Sequence, residues 1–505
     1  MVASRPEMRR GRALVPPRTK RASRSALVSG VMECRDPRAF AMLCAAMFFI
    51  YSDQNLMAPN LTAIGEFFGY DDDERDAKLG GQISVAFFLL GFPAALIIGV
   101  MCDVIERKRV LVWTLVLGQG PCLLTLFVTE YWQLFILRTL TGVAVGGALP
   151  LVYSITGDLF PPSSRSYASA TVGICSSLGG MCGQGVAGFL GPAYGWRLPF
   201  AVVAAPGLLV AYLVHSFAVE PARGAADRLC DGSNPTSKSD HAGSKYAAGD
   251  AAAGTSVSAA MPALAGRFWS NTKRIMARPT NRLGFLQGIP GCVPWSVIGV
   301  FMNDYLAVDK GLGVEFATTL MMVFGLGAMA GTVSGGVLGQ RMYNVAPHHM
   351  TALMGASAIA GIFPWLYLVD AEYTSRDGTS VERAVAAAAL AGILCSMTGV
   401  NVRAMTVNVN SPRDRGTAFA WFNLTDDLGK GFGPVLSAWL IAKMGREAAF
   451  RIGFWFWLPC GVLCAACGWT LAEDEVRVRK EVDAAADEAG ETTSLLIGGG
   501  GDKSV

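Results

Sequence analysis

Residues 424–434 read LTDDLGKGFGP, and the chain on either side is apolar, TAFAWFN before and VLSAWLIA after. Residues 417–442 together are long enough to cross a bilayer, so Asp426, Asp427 and Lys430 stand at membrane depth. Charges persist there when they face a protein cavity and find partners. Counted from Arg415, the two carboxylates lie about 16 Å in, close to the bilayer midplane. Asp426 and Lys430 are four apart, share a helix face and are expected to pair. Asp427 is rotated by about 100° and is left for another partner. Arg403 is the candidate, with Asn401 and Asn408 near it. Gly429, Gly431, Gly433 and Pro434 weaken the helix where it would have to bend.

A second polar cluster, Asp53, Gln54 and Asn55, interrupts the apolar stretch FFIYSDQNLMAPN. A buried Asp53 can take and release a proton. A third charge, Arg138, stands in LFILRTLTGVAVGGALP about two turns inside its apolar run. It either faces a cavity, where it suits proton coupling or anion binding, or snorkels to the nearby interface. The functional expectation is a cavity lined by Asp53, Gln54, Arg138, Asn423, Asp426, Asp427 and Lys430. The competing expectation is an inter-helix ion-pair network that touches no substrate.

These residues need helices to carry them. The chain has 505 residues, is 52% hydrophobic and 16% charged, and has a mean hydropathy of +0.39; a soluble chain of this length carries more charge. Apolar runs near 39–61, 79–102, 110–128, 132–155, 167–190, 197–217, 282–306, 314–338, 348–369, 384–408, 417–442 and 450–471 give about twelve spans. The fold class is therefore all-α integral membrane, with two six-helix halves, 39–217 and 282–471. A basic tail (1–38) precedes them and a second tail (472–505) follows. The linker 218–281 is rich in Ala, Gly, Ser and Asp and cannot bury a core, so most of it is expected to be disordered. Its last part, RFWSNTKRIMARP at 267–279, has the composition of a helix lying on the membrane surface, or of a solvated basic linker.

The net charge of +3 decides nothing; the placement of Lys and Arg does. The tails and the linker carry most of it, which puts both termini in the cytosol. The acidic loops Asp71–Asp76 and Asp370–Asp377 fall on the other side. The N-terminal tail is Arg- and Ser-rich and suits either a transit peptide or a cytosolic tail on anionic lipid; Pro and clustered Arg favour the tail. ETTSLL carries the acidic-dileucine pattern of sorting adaptors at Glu491, Leu495 and Leu496, which points to an endolysosomal or vacuolar membrane, the plasma membrane being the alternative. The twelve cysteines lie mostly in apolar runs and read as small buried residues. No Cys/His spacing suggests a metal, no cofactor or nucleic-acid signature appears, and no phosphate-binding GxxxxGK[ST] is present. An enzyme is not expected, because no His stands mid-span with a Ser or Cys partner.

The stretch GVMCDVIERKRV carries Gly99, Asp103, Arg107 and Lys108 at the junction of the second and third spans. It resembles the signature loop of the major facilitator superfamily, G-x-x-x-D-x-x-x-R-[KR], with Glu106 where the family usually has Gly. The resemblance implies that Asp103 and Arg107 hold a cytosolic gate, the Arg pairing across the turn. The equivalent SGGVLGQRMYN keeps Gly335 and Arg341 but no Asp. Arg138, Gly142, Gly146 and Gly147 resemble the family's next motif, in which small residues at a spacing of four let helices pack closely. Arg165 and Arg415 mark paired elbows of the two halves. Within the superfamily, YSDQNLMAPNLTAI, RTLTGV…GDLFPPSSR and SPRDRGTAFAWFN…GKGFGP resemble the spinster group of lysolipid and sphingolipid transporters. This chain has Asp53-Gln54 where that group usually has Asp-Arg, and Val145 or its neighbours where it usually has a Glu. The resemblance implies secondary transport of a small anionic or amphipathic solute, a lysolipid among the candidates, by alternating access coupled to protons. A non-transporting nutrient sensor on the same fold is the alternative.

Overall fold

The computed structural model describes residues 34, 36–160, 164–220, 257–373, 378–411, 414–482 and 484. Every regular element among them is helical. The first half holds α1 (Pro37–Ser52), α2 (Ile83–Val104), α3 (Arg107–Leu124), α4 (Tyr131–Leu159), α5 (Arg165–Tyr194) and α6 (Leu198–Phe217). A linker helix, α7 (Val257–Met276), follows. The second half holds α8 (Pro279–Ala307), α9 (Val314–Val345), α10 (Pro347–Asp370), α11 (Gly378–Asn408), α12 (Arg415–Met444) and α13 (Arg446–Trp469).

Nine of the described segments are long and apolar enough to cross a membrane. The expected spans at α1, α5 and α12 complete the twelve. Helix α1 is apolar but only 16 residues long; α5 and α12 run 30 residues each, but their polar residues dilute the hydropathy. The shortness of α1 is informative. After Ser52 the chain leaves the helix through residues 53–57 and resumes it only at Ala58. Non-helical backbone at membrane depth is tolerated where it lines a cavity.

Local chemistry sets the helix ends. Asp36 caps α1 by accepting from the Arg38 and Ala39 amides, each at 3.0 Å. Glu130 and Gln133 form a capping box before α4. Gly195 (φ 90°) and Gly445 (φ 81°) turn the chain at equivalent places, α5 into α6 and α12 into α13.

Close packing is also repeated. A Cβ on Gly142 or Gly146 of α4 would lie 2.2 or 2.3 Å from the Phe87 or Gly91 carbonyl oxygen of α2. On Gly327 or Gly331 of α9 it would lie 2.3 or 2.2 Å from the Ala389 or Ile393 oxygen of α11. Backbones that close need glycine. The halves meet along α2 against α12 and α5 against α9.

Helix α7 begins well upstream of the basic stretch 267–279 and lies against protein as well. It packs on α12 and touches α2 of the other half. Trp421 donates its indole N–H to Thr272 Oγ1 at 3.0 Å, its ring stacks with Phe268, and Arg274 Nη2 meets Asp414 Oδ1 at 2.7 Å.

Candidate functional site

A cavity of about 550 Å³ lies between the halves. Gln54 and Asn55 from the unwound stretch line it, with Arg138 of α4, Arg403 of α11, and Asp426 and Lys430 of α12. Trp295, Phe324 and Trp457 supply an apolar wall. This is the usual makeup of a small-molecule site, apolar with a few placed polar groups.

Arg138 does not snorkel. It is 2% exposed and forms an ion pair with Asp53 Oδ1, while its Nη2 donates to the Asp53 carbonyl at 3.0 Å. Asp53 is fully buried behind this guanidinium and is not itself a wall residue. Asp53 Oδ2 and Arg138 Nε, both buried, have no hydrogen-bond partner among the described residues. Phe87 and Phe200 stand 5.4 and 5.7 Å from the guanidinium and shield it.

Helix α12 differs from expectation. Lys430 pairs with Asp427 Oδ1 at 3.5 Å, an i,i+3 contact, and not with Asp426. Both spacings face each other on a helix. The choice is set by α8, where Gly288 leaves a recess: a Cβ there would lie 2.6 Å from Asp426 Oδ1. Asp426 turns into that recess and Lys430 is left to Asp427. Arg403 therefore does not partner Asp427. Asn401 is bonded to the Gly335 carbonyl and Asn408 to Glu475, so neither supports Arg403. Asn423 is exposed and does not line the cavity, and Asp427 is not on the wall either.

At the end of the molecule bearing α7, Arg107 pairs with Asp158 and with Glu220 Oε1 at 3.4 Å. The Lys108 amide donates to Glu220 Oε2 at 3.3 Å. Gly99 and Asp103 fall on the last turns of α2, and the Asp103 side chain lies outside the described set. In the second half Arg278 bonds Asn410 Oδ1 at 3.0 Å and Glu481 Oε2 at 2.5 Å. The elbow guanidinium of Arg415 donates to the Val407 and Asn410 carbonyls, each at 3.3 Å. Arg165's side chain, the N-terminal tail and Glu491, Leu495 and Leu496 lie outside the described residues.

The opposite end holds a network that sequence reasoning missed. Arg446 Nη2 and Nε reach Asp76 Oδ1 and Oδ2 at 2.7 and 2.9 Å. Its Nη1 reaches Asp304 Oδ2 at 2.9 Å and Asp309 Oδ2 at 2.7 Å. Asp304 Oδ1 accepts the Thr62 amide at 2.9 Å, and Arg75 Nε meets Asp76 Oδ1 at 3.0 Å. Asp76 and Thr62 belong to the first half, Asp304, Asp309 and Arg446 to the second. Beside this latch the Phe301 ring presses on Gly80, where a Cβ would lie 2.3 Å from it. The signal available in sequence was Asp304 at a span end and an Arg directly after the Gly445 turn. Asn60 is likewise occupied, its Nδ2 donating to the Ala187 carbonyl at 2.9 Å. The ten described free cysteines are buried or half-buried.

The comparisons with known proteins agree with this architecture. A family model described as Major Facilitator Superfamily matches residues 43–375 and 285–498. Synaptic vesicle glycoprotein 2B of Homo sapiens is 28% identical over 145 residues, covering 28% of this chain and 21% of that protein. The gallate transporter of Pseudomonas putida is 26% identical over 291 residues, covering 53% of this chain and 58% of that one. This chain thus spans well under two thirds of these relatives' lengths. Among solved structures, a bacterial homolog to the human lysosomal transporter Spinster, inward-facing and unoccupied, superposes with a TM-score of 0.67 at 18% identity. The match covers 90% of this chain and 99% of that one, a likeness of fold.

Proposed function

The chain belongs to the Major Facilitator Superfamily, and from that premise we propose that it is a secondary transporter carrying a small anionic or amphipathic solute by alternating access, coupled to protons. The observation that carries the reading is an asymmetry between the two ends. The ion pairs seen to cross between the halves, Arg446 with Asp76 above all, gather at one end. At the other end, among the described residues, Arg107 pairs with Asp158 of its own half, and Arg278, just before the second half, with Glu481 just after it. A wall built from both halves encloses the cavity between. One end is latched by ion pairs and the other shows none across the halves among the described residues, the asymmetry a rocking carrier needs. With the Lys- and Arg-rich tails in the cytosol, the latched end faces away from the cytosol and the cavity is reached from the cytosolic side. The membrane is endolysosomal, vacuolar or plasma membrane.

Asp53 and Arg138 supply the coupling. A proton on Asp53 would discharge the pair and free the Arg138 guanidinium, which already reaches the wall, for a substrate anion. Substrate and proton then act on the same arginine. The gallate transporter points to an aromatic acid as one substrate to offer, and the resemblance of the sequence to the spinster group to a lysolipid as another.

The test is uptake into proteoliposomes of labelled lysolipids and small organic anions, with and without a proton gradient. Gradient-driven uptake that Asp53→Asn abolishes, while sparing exchange, is the expected result. A ligand that stabilises the protein but never crosses would replace transport with sensing.

A further inference from the structure

We propose that the cavity is built for a zwitterion, whose anionic group lies at Arg403 and whose cationic group lies at Asp426. The inference rests on the reading of this cavity as a substrate site and names the class of substrate.

The argument is one of subtraction. Four charged side chains are among the described residues lining the cavity: Arg138, Arg403, Asp426 and Lys430. Two are already neutralised, Arg138 by Asp53 and Lys430 by Asp427. The other two have no ion pair among the described residues. Arg403, although on the wall, bonds to no described side chain or carbonyl. Asp426 has the Cys292 thiol beside it, a weak neutral donor, and otherwise feels the charges of Lys430 and Arg403 only across space.

The cavity therefore offers one uncommitted cation, exposed on the wall at Arg403, and one uncommitted anion, half-buried in its recess at Asp426. Charges held away from water want paired, hydrogen-bonded partners. A simple anion at Arg403 would satisfy it but leave the Asp426 carboxylate bare and repelled. A simple amine would do the reverse. A solute carrying both charges satisfies both groups with no net charge moved into the cavity. Gly288 makes the arrangement specific, since any side chain there would push the Asp426 carboxylate out of its recess. Trp295, Phe324 and Trp457 then offer faces for an apolar body. The shared chemistry fits either a free amino acid with an apolar side chain or a zwitterionic lipid headgroup with its tail.

The experiment is equilibrium binding to the full chain in nanodiscs. The small probes are phenylalanine, 3-phenylpropionate and 2-phenylethylamine. The lipid probes are lysophosphatidylcholine and lysophosphatidic acid. At least one zwitterion is expected to bind about ten-fold or more tightly than the single-charge compounds of the same body, the worth of one charge-assisted contact. Asp426→Asn should erase the preference over the anion, and Arg403→Gln the preference over the amine. Arg403→Lys, which keeps the charge, should retain most of the binding and shows that loss in the Gln variant is not misfolding. Anions that bind as tightly as their zwitterions, with proton uptake at Asp426, would overturn the proposal, and so would binding by none of the five. The transport reading fails separately, if bound compounds do not exchange across proteoliposomes. Anions that bind and exchange sink the zwitterion and leave transport standing.

Discussion

The Arg446 latch and the Arg138–Asp53 pair are both buried arginine–aspartate contacts, and they are finished differently. In the latch both oxygens of Asp76 and both of Asp304 accept hydrogen bonds, and Arg446 spreads over three carboxylates. In the central pair one carboxylate oxygen and one guanidinium nitrogen have no hydrogen-bond partner among the described residues. A fully satisfied buried network holds a geometry, whereas an incompletely satisfied one carries a standing cost that a proton or a ligand can relieve. The first is suited to holding a conformation and the second to changing state.

The largest effect should come from the central pair. Arg138→Ala leaves Asp53 charged, buried and alone, and is expected to abolish coupled flux and to cost about 3–5 kcal/mol of stability. Flux and thermal unfolding of the purified protein measure both. Arg138→Ala and Asp53→Asn together should recover stability but not flux; recovery of flux would make the pair a structural contact like the latch.

Next comes the latch itself. Arg446→Ala leaves Asp76 with Arg75 alone and strips the cation from Asp304 and Asp309, again at about 3–5 kcal/mol, charged here to the latched state. The expected signature is a population shift, read as faster labelling of a cysteine placed near Phe301 from the latch side. Faster unfolding with unchanged labelling would deny the latch any role in opening.

Gly80→Ala tests the same end by shape alone. The added methyl meets the Phe301 ring, overpacking worth about 1–3 kcal/mol, and should shift labelling in the same direction but less. Phe301→Ala in the same chain should restore the wild-type rate.

The smallest effect is in pH. Asp309 lies in the loop beyond α8, where burial pushes its carboxyl above the ordinary aspartate range and Arg446 pulls it part of the way back. Its folded form keeps a proton that the unfolded chain has already released. The group therefore adds stability as pH falls toward the ordinary aspartate range and loses that contribution as pH rises through its raised value. Asp309→Asn should flatten the dependence of the unfolding temperature on pH in that window.

What was legible in the sequence was whatever depends on near neighbours. Span positions follow from apolar run length, and Arg138, Asp426 and Lys430 reach the cavity because a charge at membrane depth has few other places to go. The glycines of α4 lie on one face by spacing alone, and they do seat against α2. The pairing on α12 was not legible, because i+3 and i+4 are equally good neighbours and the decision lies with Gly288 on another helix. Asn423, three residues from Asp426, was placed in the cavity by that neighbouring position on the helix, yet it is exposed and off the wall. The latch was out of reach for a different reason: Asp76 and Arg446 are 370 residues apart, and in sequence each looks like an ordinary loop charge. Helix α7 was seen only in its basic part, since its Ala-rich beginning carries no amphipathic signal.

Helix α7 has a mechanical meaning. It is riveted to α12 through Trp421, Thr272, Arg274 and Asp414 and leans on α2 across the gap. In the proposed rocking cycle it would be a strut between the two halves at the end where they separate. Closing that mouth would then compress the strut and widening would unload it, so the stiffness of one helix would enter the energy difference between the two faces.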